Sequence, residues 1–237
     1  MTLRAATVGA LGQLCLEMAP LLASAASQFP PADETLVARS SLCVTEGSLE
    51  EAGGAQISVN VPKMRAVVNQ RTADAVELRF TYLGPTATQV PLASGASRQQ
   101  LGLKVRAADP CNLLYVMWRL QPSAELVVSL KSNAGQHSSA ECGNHGYHDI
   151  PPTVRSPILQ LKPGDSQRLR AEIAADELHV LVDDQLVWHG HLPPEVARLE
   201  GPVGLRTDNV RLMFQLGIAR APTGNAPPVS SCPQEPD

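Results

Sequence analysis

Residues 182–218 read VDDQLVWHGHLPPEVARLEGPVGLRTDNVRLMFQLGI, and their pattern decides the fold. An apolar run leads into Asp183-Asp184 and returns through Leu186 and Trp188, which predicts a β-hairpin. Alternate positions at the end of the stretch are apolar: Val210, Leu212, Phe214 and Leu216. Because successive side chains of a strand point to opposite faces, this alternation predicts a strand with one face in a core.

The same alternation occurs in residues 76–82, 101–106 and 168–174. Residues 112–120, NLLYVMWRL, are apolar on both faces, which predicts a central strand covered on both sides or one whose outer face lines a groove. Outside the N-terminal segment, no stretch keeps the 3.6-residue period of a helix. About ten to thirteen short strands separated by Gly, Pro and Asp turns predict an all-β sandwich.

Three parts of the quoted stretch together resemble the closing strands of concanavalin A-like, laminin G-like jelly rolls. These are a V-D-G-x-x-V hairpin (Val182 to Val187), a G-x-V-G-L-R segment (Gly201 to Arg206) and a V-x-F-x-x-L strand (Val210 to Leu216). Asp184 stands where the hairpin usually has glycine. The resemblance implies a two-sheet antiparallel jelly-roll sandwich in which the last strand inserts beside the first. It also implies close backbone approach at Gly201 and Gly204.

Proteins of this kind include lectins, calcium-dependent adhesion modules and glycoside hydrolases, so the resemblance indicates a fold more than a function.

The N-terminus predicts an export signal. An apolar stretch is followed by Ala23-Ser24-Ala25, the pattern that precedes signal-peptidase cleavage. The alternative is an amphipathic helix packed on the domain. We therefore expect a signal peptide over residues 1–25, a β-sandwich over 26–218 and an extended Pro-rich tail over 219–237. The protein would be periplasmic, at the cell surface or extracellular, with no membrane span in the mature chain.

The charge balance argues against a nucleic-acid partner. Lys and Arg total 19 against 23 for Asp and Glu, which gives a net charge of −4. A chain of this charge has no overall basic field for nucleic acid or anionic lipid.

Four cysteines follow the predicted cleavage site, an even number that suggests two disulfides in an oxidising compartment. Three pairings are possible. We favour Cys111 with Cys142, which closes an internal loop, and Cys43 with Cys232, which ties together the ends of the domain. If the chain is not exported, the four are ordinary buried thiols.

The segment ECGNHGYHDI, residues 141–150, raises the alternative of a zinc site. Cys142, His145 and His148 lie close in sequence, with His137 just upstream and the pair His189-x-His191 on a predicted strand. The three-residue histidine spacing suits a helix, which this loop lacks, and Cys142 is better used in a disulfide. We therefore predict a stapled loop, no metal ligands and no cofactor.

Calcium remains a weaker alternative. Asp109, Asp165 and Asp208 lie at predicted turns where carbonyl oxygens complete an oxygen shell. Plain turn chemistry explains these aspartates equally well, and we favour it.

Aromatic side chains are the natural candidates for stacking on a sugar. The candidate ligand-binding residues are Trp118, Tyr147, Trp188, His145 and His148. Trp118 is the first choice for a groove because it faces away from Tyr115 and Met117, although a tryptophan on a central strand is also a common core residue. The expected partner is a glycan or an extracellular protein.

No motif of an enzyme is present. The acidic residues that come close together are adjacent pairs, namely Glu50-Glu51, Asp176-Glu177 and Asp183-Asp184. Neighbours on a strand point to opposite faces, and no E-x-D-x-E pattern offers a glycosidase pair. There is also no G-x-S-x-G, H-E-x-x-H or phosphate loop. The sequence indicates an exported non-enzymatic binding module. The alternatives are a carbohydrate-active enzyme with an unrecognised site and a structural component of an envelope assembly.

Overall fold

The computed structural model describes residues 34–219, apart from 71 and 73, together with Cys232. The predicted signal peptide and nearly all of the predicted tail lie outside these residues. The described part contains two four-residue helices, α1 (Ser139–Cys142) and α2 (Pro194–Ala197), and a 3₁₀ turn at Arg39–Ser41. Its sixteen strands are β1 (Glu34–Leu36), β2 (Leu42–Glu46), β3 (Glu50–Gly53), β4 (Gln56–Val59), β5 (Lys63–Val68), β6 (Ala75–Pro85), β7 (Gln100–Asp109), β8 (Asn112–Arg119), β9 (Glu125–Lys131), β10 (Tyr147–Asp149), β11 (Val154–Arg155), β12 (Ser166–Ala174), β13 (Glu177–Val182), β14 (Gln185–His191), β15 (Gly204–Asp208) and β16 (Val210–Ala219).

The strands form two sheets that pack face to face. The nine-stranded sheet has the order β11-β14-β13-β12-β6-β16-β4-β3, and β1 also pairs with β16. The seven-stranded sheet has the order β10-β9-β8-β7-β15-β5-β2. All of these pairings are antiparallel. The predicted two-sheet, all-β antiparallel sandwich, the architecture of a concanavalin A-like jelly roll, is confirmed, and the last strand lies beside the first.

The core lies between the sheets and follows the predicted alternation. Val210, Leu212, Phe214 and Leu216 of β16 are all buried. From the other sheet, Trp118 meets Phe80 edge-on, with ring centroids 5.9 Å apart. The strand count exceeds the predicted ten to thirteen because several strands of two to four residues, such as β10 and β11, are too short to show a period.

The hairpin of β13 and β14 turns at Asp183 and Asp184, whose φ angles are 46° and 66°. A two-residue turn with positive φ at both positions matches the twist of the strands, and Asp tolerates this conformation without a glycine. A Cβ added to Gly204 would stand 2.1 Å from the carbonyl oxygen of Ala66, and one added to Gly201 would meet the backbone of Ala107. The expected close backbone approach at both glycines is confirmed.

One predicted strand ends differently from its pattern. The alternation of residues 101–106 puts Lys104 and Arg106 on the same polar face of β7. The strand is, however, irregular between Val105 and Asp109. Arg106 has φ 48° and turns away to an ion pair with Asp74. Only Lys104 therefore stays on the outer face of the sheet.

Both preferred disulfides are present. Cys111 bonds to Cys142 and Cys43 bonds to Cys232, with Cα atoms 5.8 and 5.1 Å apart. The first bridge ties the loop that follows β9 to the turn between β7 and β8, and we call this loop, which contains α1 and the short strand β10, the disulfide loop. Among the described helices, none is long and apolar enough to cross a membrane.

Candidate binding groove

The outer face of the seven-stranded sheet carries a polar groove. Because Leu101, Leu103 and Val105 of β7 enter the core, Gln100, Gly102 and Lys104 must face outward. The same alternation brings side chains of β5, β8, β9, β10 and β15 to this face. Together with the loop around Leu92 and the loop that contains α1, they line a groove of about 570 Å³.

Two stacked tyrosines lie in this groove. Tyr115 on β8 is buried, and Tyr147 on the edge strand β10 is 37% exposed. Their ring centroids are 6.0 Å apart with an interplanar angle of 23°. The guanidinium of Arg206 lies 5.1 Å from the Tyr115 ring, and Lys131 Nζ lies 5.2 Å from the Tyr147 ring. Cations over aromatic faces are attracted to the rings, so both contacts stabilise the stacked arrangement.

Burial raises the pKa of the Tyr115 phenol to about 12, so the group is neutral at physiological pH. A neutral phenol both donates and accepts hydrogen bonds, as binding of sugar hydroxyls requires.

An ion network beneath the groove fixes the position of its arginines. The carboxylate of Asp208 accepts hydrogen bonds from Arg65 Nη2 at 2.7 Å, Gln100 Nε2 at 2.6 Å and Arg206 Nε at 2.8 Å. The charges of Arg65 and Arg206 and the bond from Gln100 outweigh the effect of burial and lower the Asp208 pKa to about 2. The two guanidinium groups are thus held in place before any ligand arrives.

The groove is strongly basic although the chain is acidic. Seven of its lining residues are basic: Lys63, Arg65, Arg98, Lys104, Arg119, Lys131 and Arg206. The acidic lining residues are Glu46 and Asp149. Two more acidic residues lie next to the groove: Asp208 beneath it and Glu125, which pairs with Arg119. Seven basic residues against these four acidic ones leave an excess of three positive charges. Burial lowers the pKa of Arg98, and the charge of the nearby Arg119 lowers it further.

The disulfide loop forms one wall of the groove. Lys131 Nζ donates to the carbonyls of Pro110 at 3.0 Å and Gly143 at 2.9 Å, which holds the loop against the sheet. The Asn133 amide donates to the carbonyls of Cys111 and His145. At α1, backbone N–H groups of His137 and Ser138 donate to Glu141, and these bonds lower its pKa. The loop is therefore an ordered structural element that carries Tyr147.

The structure corrects the prediction for the two tryptophans. Trp118 is 0% exposed and Trp188 is 1% exposed, so neither presents a face to a ligand. Trp118 lies on the core side of β8, and its indole N–H donates to the Leu159 carbonyl. One of the two interpretations of residues 112–120 was that their outer face lines a groove, and it does. The side chains on that face are Tyr115 and Met117 rather than Trp118.

Of the five candidate ligand residues, only Tyr147 lies in the groove. His148 is exposed and points to the opposite face of β10, and His145 is exposed on the loop. His137 pairs with Asp109, which raises the pKa of the imidazole. Of the residues considered for a zinc site in this loop, Cys142 is thus bonded to Cys111 and His137 to Asp109.

The three aspartates considered for calcium also have other partners. Asp109 accepts from the backbone N–H of Cys111, and Asp165 accepts from the backbone N–H of Lys162. These are turn contacts, as favoured. Asp208 does not lie in a turn: it is the last residue of β15 and fully buried in the arginine network.

The basic residues of the groove were missed in the sequence. Their signal was present, because Lys63, Arg65, Lys104 and Arg206 each occupy a polar position in an alternating strand. Alternation does not say which strands share a sheet, so the sequence did not show that these charges converge.

Comparison with known proteins gives fold similarities only. No family model and no curated protein sequence matches the chain. Among solved structures, the carbohydrate-binding module CBM66 from Bacillus subtilis matches with a TM-score of 0.49 and 16% identity over 73% of this chain and 91% of that one. The carbohydrate recognition domain of Emp46p matches with a TM-score of 0.46 and 9% identity over 78% and 90%.

The Crh5 transglycosylase in complex with NAG matches with a TM-score of 0.44 and 12% identity over 81% of this chain and 85% of that one. All three TM-scores are below one half, so function is argued from the groove itself.

Proposed function

We propose that the protein is an exported, non-enzymatic module that binds an anionic glycan in the groove of the seven-stranded sheet. The observation that carries this proposal is the convergence of seven basic side chains with Tyr147, which is 37% exposed and whose ring stacks on the buried Tyr115. Guanidinium and ammonium groups bind carboxylate and sulfate, and aromatic rings pack against the apolar faces of sugar rings. A polysaccharide of uronic acid or sulfated sugar presents both features.

Repulsion within the groove supports an anionic ligand. Arg98 has a lowered pKa because it is partly buried and lies near Arg119. An anion placed between these groups relieves the repulsion. The arginines held by Asp208 need no reorganisation on binding, which reduces the entropic cost of association.

The placement of carboxylates favours binding over hydrolysis. Glycosidases hold two carboxyl groups about 5 to 9.5 Å apart. In the groove lining, Glu46 lies on β2 and Asp149 on β10, which are the two edges of the seven-stranded sheet. Six strand spacings separate them, roughly 29 Å along the sheet. Asp208 lies between the edges, but its oxygens are occupied by Arg65, Arg206 and Gln100.

Export is supported by the two disulfides, since such bonds persist in oxidising compartments. One of them borders the groove, because Cys111 anchors Cys142 in the loop that leads into β10 and Tyr147.

The test is titration of the disulfide-bonded protein with polyuronates, sulfated glycans and neutral glycans by calorimetry. We expect the acidic polymers to bind and salt to weaken them. Tyr147→Ala should weaken binding about 3- to 10-fold, the equivalent of roughly 0.5 to 1.5 kcal/mol for one aromatic contact. Arg98→Gln should weaken it and reduce the salt dependence.

Arg168→Gln is the matched control, because Arg168 lies on the outer face of the other sheet. The proposal is refuted if Tyr147→Ala and Arg98→Gln leave the binding affinity unchanged. It is also refuted if the protein prefers neutral glycans or binds none of the glycans. Mass spectrometry of the glycan after incubation completes the test, since shortened chains would show an enzyme.

A further inference from the structure

A second cluster of functional side chains lies on the opposite sheet, remote from the groove. Glu177 and His179 occupy alternate positions of β13, so they share a face. On β14, His189 stands directly opposite His179, and His191 stands opposite Glu177. Leu178 and Val180 enter the core, so the four polar side chains lie on the outer face of the nine-stranded sheet.

Three of these residues converge on one point. One ligand atom each from Glu177, His179 and His189 lies within 4.8 Å of the others. His189 Nε2 is 3.5 Å from Glu177 Oε1. This nitrogen is buried yet has no hydrogen-bond partner among the described residues. A buried imidazole nitrogen without a partner is costly, and a bound cation would satisfy it.

The two histidine rings of the cluster pack against each other. The His179 and His189 rings are stacked with centroids 4.6 Å apart and an interplanar angle of 14°. The stack places ring nitrogens of both histidines close enough together, and to Glu177, to contact one ion.

We propose that Glu177, His179 and His189 form a binding site for zinc or a comparable first-row divalent ion. Two imidazoles and one carboxylate are typical ligands of these metals, whereas calcium prefers oxygen alone. Ligand atoms around a tetrahedral ion with bonds of 2.0 to 2.1 Å are about 3.4 Å apart, so small side-chain rotations close the site.

The fourth position is open to solvent or to His191. That ring is 64% exposed, and its Nε2 lies 3.6 Å from Glu177 Oε1. Its centroid lies 6.2 Å from that of His189. Because the ligands come from two paired strands, the ion would clamp β13 to β14.

The backbone around the site is fixed on both sides. Thr153 N–H donates to the His189 carbonyl, and β12 pairs with β13 through Glu172 opposite His179. Glu172 itself forms an ion pair with Arg170 at 2.8 Å. The site is thus built on strands, where ligand positions are more precise than in loops.

The experiment uses the full disulfide-bonded protein, purified without a histidine tag and freed of metal by a chelator. Zinc uptake is measured by calorimetry and by elemental analysis after dialysis. We expect one ion per chain and a melting temperature that rises with zinc. His179→Gln and His189→Gln should each weaken binding at least about tenfold, since even outer partners of metal ligands contribute about 10- to 100-fold.

A double variant, His145→Gln with His148→Gln, is the matched control, because both histidines are exposed in the disulfide loop. It should bind zinc as the unmodified protein does. Cobalt(II) provides a second readout, since its visible spectrum should be that of a four-coordinate nitrogen–oxygen site and should disappear in His189→Gln. Melting without metal verifies that each variant is folded.

No saturable zinc uptake would overturn the proposal. So would uptake that survives His179→Gln and His189→Gln, or uptake that the control variant abolishes.

Discussion

Replacing Asp208 with asparagine tests the network that positions the groove arginines. Asp208 is 0% exposed and its two oxygens accept from Arg65, Gln100 and Arg206. Asparagine keeps the shape of the Asp208 side chain but removes its negative charge. Its NH₂ group would also face the N–H donors of the surrounding side chains instead of accepting from them. Breaking a buried ion pair by removing one partner costs about 3 to 5 kcal/mol, because the remaining charge stays buried and uncompensated. We expect Asp208→Asn to lower the free energy of unfolding at pH 7 by this amount.

The pH dependence gives an independent magnitude. The Asp208 pKa falls from 3.8 to about 2 on folding. A difference of nearly two pK units, at about 1.36 kcal/mol each, corresponds to roughly 2 to 3 kcal/mol. Because the folded-state pKa is the lower one, this contribution is complete well above pH 4 and is lost as the pH falls through about 2. Asparagine does not titrate, so the stability difference between the two proteins should narrow by about 1 to 2 kcal/mol between pH 7 and pH 2.5.

Urea unfolding followed by tryptophan fluorescence measures both effects, since Trp118 and Trp188 are buried and report the core. Asp184→Asn is the control. Its carboxylate is 57% exposed and pairs with Arg168 at the hairpin turn, and asparagine tolerates the same backbone conformation. Surface pairs of this kind contribute at most about 1 kcal/mol. The reasoning is refuted if both variants cost the same, or if the stability difference for Asp208→Asn is constant with pH.

Three further predictions concern the backbone and the bridges. Gly204→Ala should lower the free energy of unfolding by about 1 to 3 kcal/mol, because its Cβ would meet the Ala66 carbonyl; an unchanged urea midpoint would contradict this. Replacing Cys111 and Cys142 together with serine should cost about 4 kcal/mol in unfolding experiments, since the bridge spans 31 residues, and should also weaken glycan binding; full retention of both would show that the loop needs no staple. The intact mass of the secreted protein should correspond to a chain that starts near Ala26, and reduction should add the mass of four hydrogen atoms; a chain that starts at Met1 would favour the amphipathic-helix alternative.

The fold class and much of the strand pattern could be predicted from the sequence. Alternation is a local property, so residues 76–82, 168–174 and 210–216 were recognised as strands with their core faces correctly assigned. The hairpin at Asp183-Asp184 was equally local, because two turn residues between apolar runs specify it. The preferred cysteine pairing was also correct, although the sequence left all three pairings open.

The face of a doubly apolar strand that meets the core depends on the packing of the two sheets. Residues 112–120 are apolar on both sides, so their periodicity does not distinguish Trp118 from Tyr115. The packing of the second sheet distinguishes the two faces: Trp118 packs on Phe80, and Tyr115 faces the groove.

The two clusters proposed as sites also depend on the tertiary structure. Lys63, Arg65, Lys104 and Arg206 come from three strands that become neighbours only when β15 inserts between β5 and β7, and His179 meets His189 only through the register of β13 and β14. Strand order and register depend on contacts between residues distant in sequence, and these contacts are what assembles both clusters.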